Sequence, residues 1–184
     1  MRVIAGKAKG KRLKAPSGLD TRPLTDMIKE ALFNVIGDKI IEASFLDLFA
    51  GSGSAGIEAL SRGASRVIFI DSSKEASRII RDNLNNCGFK ESSEVYRNDV
   101  FKAINILNKR NLAFDIIYLD PPFKNEKIFD RVIRAMDETE LLDEQGILII
   151  RTPKGKEMPV KLSNLEEYRE TNYGESTLHY YRSK

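Results

Sequence analysis

Short apolar runs and amphipathic helical runs alternate through the middle of this chain, and that alternation leaves few folds open to it. Strand signals fall at Phe45–Phe49, Val67–Asp71, Glu94–Arg97, Phe114–Leu119 and Gly146–Ile150. Helical signals lie between them, at Ala55–Arg62, Lys74–Asn86, Val100–Lys109 and Glu126–Met136. Strands that alternate with helices in this way build a parallel, doubly wound α/β sheet. Ahead of them, Ile28, Ala31, Leu32, Val35 and Ile36 recur at helical spacing. Thr25 or Asp26 is available as a cap and Gly37 as a stop. The tail differs. Leu165–Thr171 and Thr177–Arg182 flank a Gly174 turn with no helix between them, so an antiparallel pair is expected to close the sheet edge.

With 184 residues the chain is long enough to bury a substantial core as one domain with a small appendage. It holds no run of about 18 apolar residues that would span a membrane, and no apolar stretch follows its basic start as a secretory signal requires. The lone Cys87 offers no internal disulfide and no zinc set. A cytoplasmic protein without metal is expected. Charge is unevenly placed. Arg2, Lys7, Lys9, Lys11, Arg12 and Lys14 precede the first acidic residue, Asp20, while the whole chain carries only +3. Such an arm on a near-neutral body points to a polyanion. Gly6 and Gly10, interleaved with Val3, Ile4 and Leu13, suggest a hairpin able to lie against phosphates. Thr21 to Asp26 reads as extended, and Arg22 and Lys29 are further candidates for phosphate contacts.

The fourth strand runs into Asp120-Pro121-Pro122-Phe123. Two prolines cannot donate to a sheet ladder, and each fixes φ near roughly −65°, so the strand must stop there. A carboxylate, carbonyls and an aromatic ring are thereby held in one rigid turn. In an open parallel sheet, ligands bind at the carboxyl ends of strands. This cluster suits a planar substrate carrying an NH₂ group, such as a nucleobase. Alone, the tetrapeptide is equally well ordinary strand punctuation.

The first strand ends in Asp47-Leu48-Phe49-Ala50 and leads into Gly51-Ser52-Gly53-Ser54-Ala55-Gly56. Its glycines permit a tight turn and a close approach of ligand to a helix N-terminus. Asp71 follows 20 residues after Gly51, with Ser72 next to it, where a carboxylate can accept ribose hydroxyls. An adenosine-containing cofactor is expected, but the glycines leave its identity open. Asp47 inclines the choice. A second carboxylate would repel a pyrophosphate, whereas S-adenosylmethionine carries an ammonium and a sulfonium. Asp99 is placed to accept from an adenine amino group, with Val100 or Phe101 beside the ring; it serves equally as a helix N-cap.

Assembled, these residues resemble the class I S-adenosylmethionine-dependent methyltransferases, through DLFAGSGSAG at 47–56, Asp71 and DPPF at 120–123. More narrowly, the chain resembles the bacterial family that methylates guanine N2 in small-subunit (16S) ribosomal RNA. That resemblance rests on Arg2-Val3-Ile4-Ala5-Gly6 with Gly10-Lys11-Arg12-Leu13, on Arg22-Pro23-Leu24-Thr25-Asp26 leading to Lys29-Glu30-Ala31-Leu32-Phe33-Asn34, and on Gly56-Ile57-Glu58-Ala59-Leu60-Ser61-Arg62-Gly63-Ala64. It covers nearly the whole chain. It departs at Ala5, where the family often carries a second glycine, and in lacking an aromatic within the arm.

The resemblance implies a Rossmann-like sheet of seven strands, six parallel and one antiparallel. Residues 1–24 would form a basic RNA-binding extension and residues 25–184 the methyltransferase domain. It implies a monomer acting on 16S rRNA or a small-subunit assembly particle. Asp120, Pro121, Pro122 and Phe123 would hold a flipped-out guanine. Asp47, Phe49, Ala50, Gly51, Ser52, Gly53, Asp71, Ser72, Asp99 and Val100 would hold the cofactor. Competing readings are a DNA or RNA adenine-N6 methyltransferase, which shares the DPPF chemistry, an NAD-dependent dehydrogenase, and a non-catalytic RNA-binding module.

Overall fold

A computed structural model describes residues 1–17, 24–159 and 161–184. The expected phosphate contact at Arg22 lies outside these residues. The first helix, α1 (Asp26–Ile36), is capped by Thr25, whose hydroxyl accepts from Ile28 N at 3.3 Å, and it ends at Gly37 with φ 58°. The parallel units follow as β1 (Ser44–Leu48), α2 (Ser54–Arg62), β2 (Arg66–Asp71), α3 (Lys74–Cys87), β3 (Ser93–Arg97), α4 (Val100–Lys109), β4 (Phe114–Leu119) and α5 (Glu126–Asp137). The chain closes with β5 (Leu142–Pro153), β6 (Leu165–Tyr173) and β7 (Ser176–Ser183).

Several expected boundaries shift by a residue or more, and two of the shifts have a plain cause. The first strand stops at Leu48 because Phe49 takes φ 60°, outside the β region. The fifth begins and ends beyond the apolar core of Gly146–Ile150, because it pairs with β4 on one side and β7 on the other.

The seven strands lie in the order β3-β2-β1-β4-β5-β7-β6. Neighbours from β3 to β5 pair in parallel, while β7 runs antiparallel to both β5 and β6. Six strands therefore share one direction and one opposes them, as expected. The central strands β1, β2, β4 and β5 carry buried apolar residues on both faces, as a sheet covered by helices requires. The edge strand β3 (Ser93-Glu94-Val95-Tyr96-Arg97) is mostly polar and largely exposed. Phe45, Ile116, Tyr118 and Ile149 pack on one face with α1, α2 and α3. Leu46, Leu48, Ile117 and Ile150 pack on the other with α4 and α5. The order reverses between β1 and β4, and the crevice at their carboxyl ends is where a doubly wound sheet binds ligands.

The basic arm is a folded hairpin. Val3 N donates to Lys11 O and Gly10 N to Val3 O, each at 2.9 Å, and Arg2 and Arg12 form an antiparallel bridge. Val3, Ala8 and Leu13 are buried in the same core layer as α1 and α2. The hairpin presses so closely on α2 that a Cβ on Gly6 would lie 1.7 Å from Ser61 O, which only glycine avoids. Among the described residues, no helix is long and apolar enough to cross a membrane.

Candidate active site

Local strain shapes the loop after β1. Phe49 (φ 60°), Gly51 (φ 57°) and Gly53 (φ 76°) all take positive φ, and Gly53 is the N-cap of α2. For a bulky residue such as Phe49 this conformation is costly and needs support from its surroundings. Asp71 at the end of β2 supplies part of it. One carboxylate oxygen accepts from Gly51 N at 2.8 Å and the other from Ser73 N at 2.8 Å. Asp47 supplies another part, accepting from Gly56 N in the first turn of α2 at 3.0 Å. Behind the loop, Asn83 of α3 donates to Ser52 O at 3.0 Å and also to Lys14 O at 3.0 Å. A single buried amide thus ties the basic hairpin to the loop.

This loop and the turn after β4 line one cavity of about 260 Å³. Asp47, Phe49, Ala50, Gly51, Ser52, Asp71 and Ser72 form one side, and Asp120, Pro121, Pro122 and Phe123 form the other. The sheet order explains why residues more than seventy positions apart meet: β1 and β4 are neighbours, and Asp120 N donates to Leu48 O at 3.2 Å. Gly53 sits behind the wall, where an added Cβ would meet Ile80 and Phe69 at 3.2–3.3 Å. Asp99 and Val100 are not on the wall. Asp99 is exposed and caps α4, accepting from Lys102 N at 3.1 Å, and Val100 is buried in the α4–α5 layer.

The electrostatics are lopsided. Three carboxyl groups, Asp47, Asp71 and Asp120, face a single cationic side chain on the described wall, Arg151. Burial pushes the Asp47 carboxyl well above its ordinary range, and the nearby charges of Asp120 and Asp71 push the same way, against the Gly56 hydrogen bond. Burial also pushes Asp120 up, with Arg151 opposing it. Ser54 Oγ is buried on this wall without a hydrogen-bond partner among the described residues, a costly state for a hydroxyl unless a ligand satisfies it. An acidic wall with an unsatisfied hydroxyl fits a cationic, hydrogen-bonding ligand. It suits a pyrophosphate poorly.

Sequence reasoning missed Arg151, Tyr118 and Ser54, and also Met1, Ala15 and Pro16 of the N-terminal segment, all of which line the cavity. The signal for Arg151 was a charge directly after the apolar run 147–150. Other expected residues fall elsewhere. Lys29 is not a phosphate contact. It is fully buried, with its ammonium 3.6 Å from Glu58 Oε2. Arg2, Lys7, Lys9, Lys11, Arg12 and Lys14 of the hairpin are all exposed, the placement expected of an arm that meets a polyanion. Of these, Arg2 pairs with Asp26 at 2.9 Å and Lys14 with Asp82 at 3.3 Å. His179 is a packed strand residue, its Nδ1 2.7 Å from Glu167 and its Nε2 3.1 Å from Thr152 Oγ1.

A family model described as "Conserved hypothetical protein 95" matches residues 1–182. The chain is 39% identical over 184 residues, the full length of both proteins, to "Putative rRNA methyltransferase YlbH" of Bacillus subtilis (strain 168). It is 28% identical over 182 residues to "Ribosomal RNA small subunit methyltransferase D" of Escherichia coli (strain K12), covering 99% of this chain and 89% of that protein. Among solved structures, "Putative methyltransferase yhhF from Escherichia coli" superimposes with a TM-score of 0.87 at 27% identity, covering 100% of this chain and 98% of that one.

Proposed function

The chain belongs to the family described as "Conserved hypothetical protein 95", and from that membership we propose that it transfers a methyl group from S-adenosyl-L-methionine to the N2 amino group of a guanine in 16S rRNA. The observation that carries this reading is the shared cavity: the Asp71-braced glycine loop and the Asp120-Pro121-Pro122-Phe123 turn line the same space. The names borne by the relatives in Bacillus subtilis and Escherichia coli support rRNA as the substrate class.

Bound in this cavity, the cofactor supplies a methyl group already activated by its sulfonium. The residues of the chain hold and orient. Asp71 keeps further acceptor capacity for ribose hydroxyls beyond its two backbone partners. Asp47 offers a buried carboxyl to the cationic end, and Ser54 Oγ offers the hydroxyl left unsatisfied on the wall.

Guanine N2 is a poor nucleophile because its lone pair is delocalised into the ring. Hydrogen bonds from its two N–H groups to the Asp120 carboxylate and the Pro121 carbonyl turn that lone pair out of conjugation. Phe123 stacks on the base and fixes its plane. Orientation of this kind removes several kcal/mol from a barrier. The nitrogen must also shed a proton, and Asp120, whose carboxyl is raised by burial, is suited to receive it. A paired base cannot reach the turn, so the target nucleotide is flipped out or single-stranded. Met1, Ala15 and Pro16, at the two ends of the hairpin segment, line the cavity, and the lysines and arginines on the hairpin's surface contact the phosphate backbone.

The test is tritiated methyl transfer to naked small-subunit rRNA, to assembly particles and to duplex DNA, followed by nucleoside identification. N2-methylguanosine from rRNA is expected. N6-methyladenosine, or label in DNA alone, overturns the substrate assignment.

A further inference from the structure

Arg151 is 3% exposed in its side chain and stands at the carboxyl end of β5, beside the end of β4. The pairing places Ile116 opposite Ile147, Tyr118 opposite Ile149 and Leu119 opposite Ile150. One step further, Arg151 meets Asp120, and its Nε donates to Asp120 Oδ1 at 2.8 Å. The other oxygen, Oδ2, takes a long contact of 3.5 Å from the Tyr118 hydroxyl. The guanidinium carbon also lies 5.2 Å from the centre of the Phe123 ring. One buried side chain therefore touches both the acceptor and the stacking ring of the turn.

We propose that Arg151 is the positioning residue of the methyl-transfer site, occupying Asp120 Oδ1 and bracing Phe123 so that Oδ2 is presented to the amino group of the substrate base. This inference rests on the methyltransferase reading above. A carboxylate at the end of a strand can rotate about its last bond, and a bond to one oxygen at 2.8 Å removes that freedom. A buried carboxyl also tends to protonate, which would turn one of its acceptor sites into a donor, and an adjacent guanidinium opposes this. Arginine suits the task better than lysine. It stays charged when buried, and its flat face packs on an aromatic ring while its edge donates.

The test compares wild type with Arg151→Met, Arg151→Lys, Asp120→Asn and the Arg151→Met/Asp120→Asn double variant. Steady-state methyl transfer to rRNA, calorimetric binding of S-adenosylmethionine, and a carbon-13 titration of the Asp120 carboxyl are measured. Arg151→Met is expected to lower kcat by roughly 100-fold, the usual cost of a misplaced group. Cofactor affinity and KM for RNA should stay near wild type, and the pH profile and the Asp120 titration should both move to higher pH. Arg151→Lys should recover part of kcat. The double variant should be no slower than Asp120→Asn, because Arg151 acts through Asp120. Wild-type kcat, parallel loss of cofactor affinity, or full additivity in the double variant each overturns the proposal. Should wild type methylate no rRNA, the functional reading falls. The carboxyl titration still judges Arg151 in that case, since an unmoved Asp120 signal in Arg151→Met and Arg151→Lys refutes its control of that group.

Discussion

The Glu58 carboxylate lies 3.6 Å from the Lys29 ammonium with both side chains fully buried, and the same carboxylate accepts from Ile4 N at 2.8 Å, Ala5 N at 3.0 Å and Arg62 Nε at 2.8 Å. Lys29 also donates to Arg2 O. These contacts hold the basic hairpin on α1 and α2 from beneath. Removing one partner of such a pair strands a buried charge. Glu58→Ala should therefore cost about 3–5 kcal/mol of stability in urea unfolding. A loss below about 1 kcal/mol would show that the hairpin is not an integral part of the fold.

Deleting residues 1–14 is consequently a poor test of RNA binding, since it also strips Val3, Ala8 and Leu13 from the core. Charge removal on the outer side is cleaner. Lys7, Lys9, Lys11 and Arg12 lie at the surface, and replacing all four by glutamine should leave the unfolding midpoint within about 2 °C of wild type. RNA affinity should fall, and the slope of log affinity against log salt should flatten by about 0.7 for each phosphate no longer neutralised. An unchanged slope in filter binding across salt concentrations would remove these residues from the interface.

Asp71 and Asp120 share a cavity but should fail differently. Asp71→Asn weakens the clamp on Gly51 and the offer to the ribose, so cofactor affinity by calorimetry should drop at least tenfold, a change of about 1.4 kcal/mol. Asp120→Asn keeps the size of the side chain and lies across the cavity from the loop. It should bind cofactor as wild type does while methyl transfer falls roughly 100-fold or more. Equal loss of binding in both variants would show that the two sides of the cavity are not functionally distinct.

Much of this architecture was legible in the chain because periodicity reports burial. The ends of β4 and α4 fell where their patterns stop, and the glycine loop is flanked by Asp47 and Asp71 as its spacing implied. What was not legible depends on contacts between distant segments. Nothing local distinguishes Lys29 from a surface lysine; only its docking against Glu58, nearly thirty positions on, shows that it is buried. Arg151 likewise gains its partner from the register of β5 on β4, which single-chain patterning does not encode. Asp99 illustrates a competition between roles. Capping α4 satisfied the local geometry, and the side chain stayed outside the cavity.

Asp47 makes cofactor binding pH-dependent, and the sign can be worked out. Its carboxyl ordinarily ionises near 3.8, and burial raises that well above in the folded protein. A raised acid stabilises the fold fully below its unfolded value, and that contribution is lost as pH rises through the folded one. Free protein should therefore lose stability as pH climbs from about 4 through the raised value of Asp47. Asp47→Asn, which can still accept from Gly56 N, should not lose it. A cationic ligand seated beside Asp47 favours the carboxylate and lowers that value again. Binding of S-adenosylmethionine should thus release protons and tighten as pH rises through the free-protein value. Calorimetry stepped upward from about pH 4, in pairs of buffers with different ionisation enthalpies, should give apparent heats that differ in the direction of proton release over the range where free Asp47 is still protonated. In Asp47→Asn the difference should shrink or vanish. Proton uptake by wild type, or identical heats in both buffers at every pH of the series, would place the cationic end of the cofactor away from Asp47.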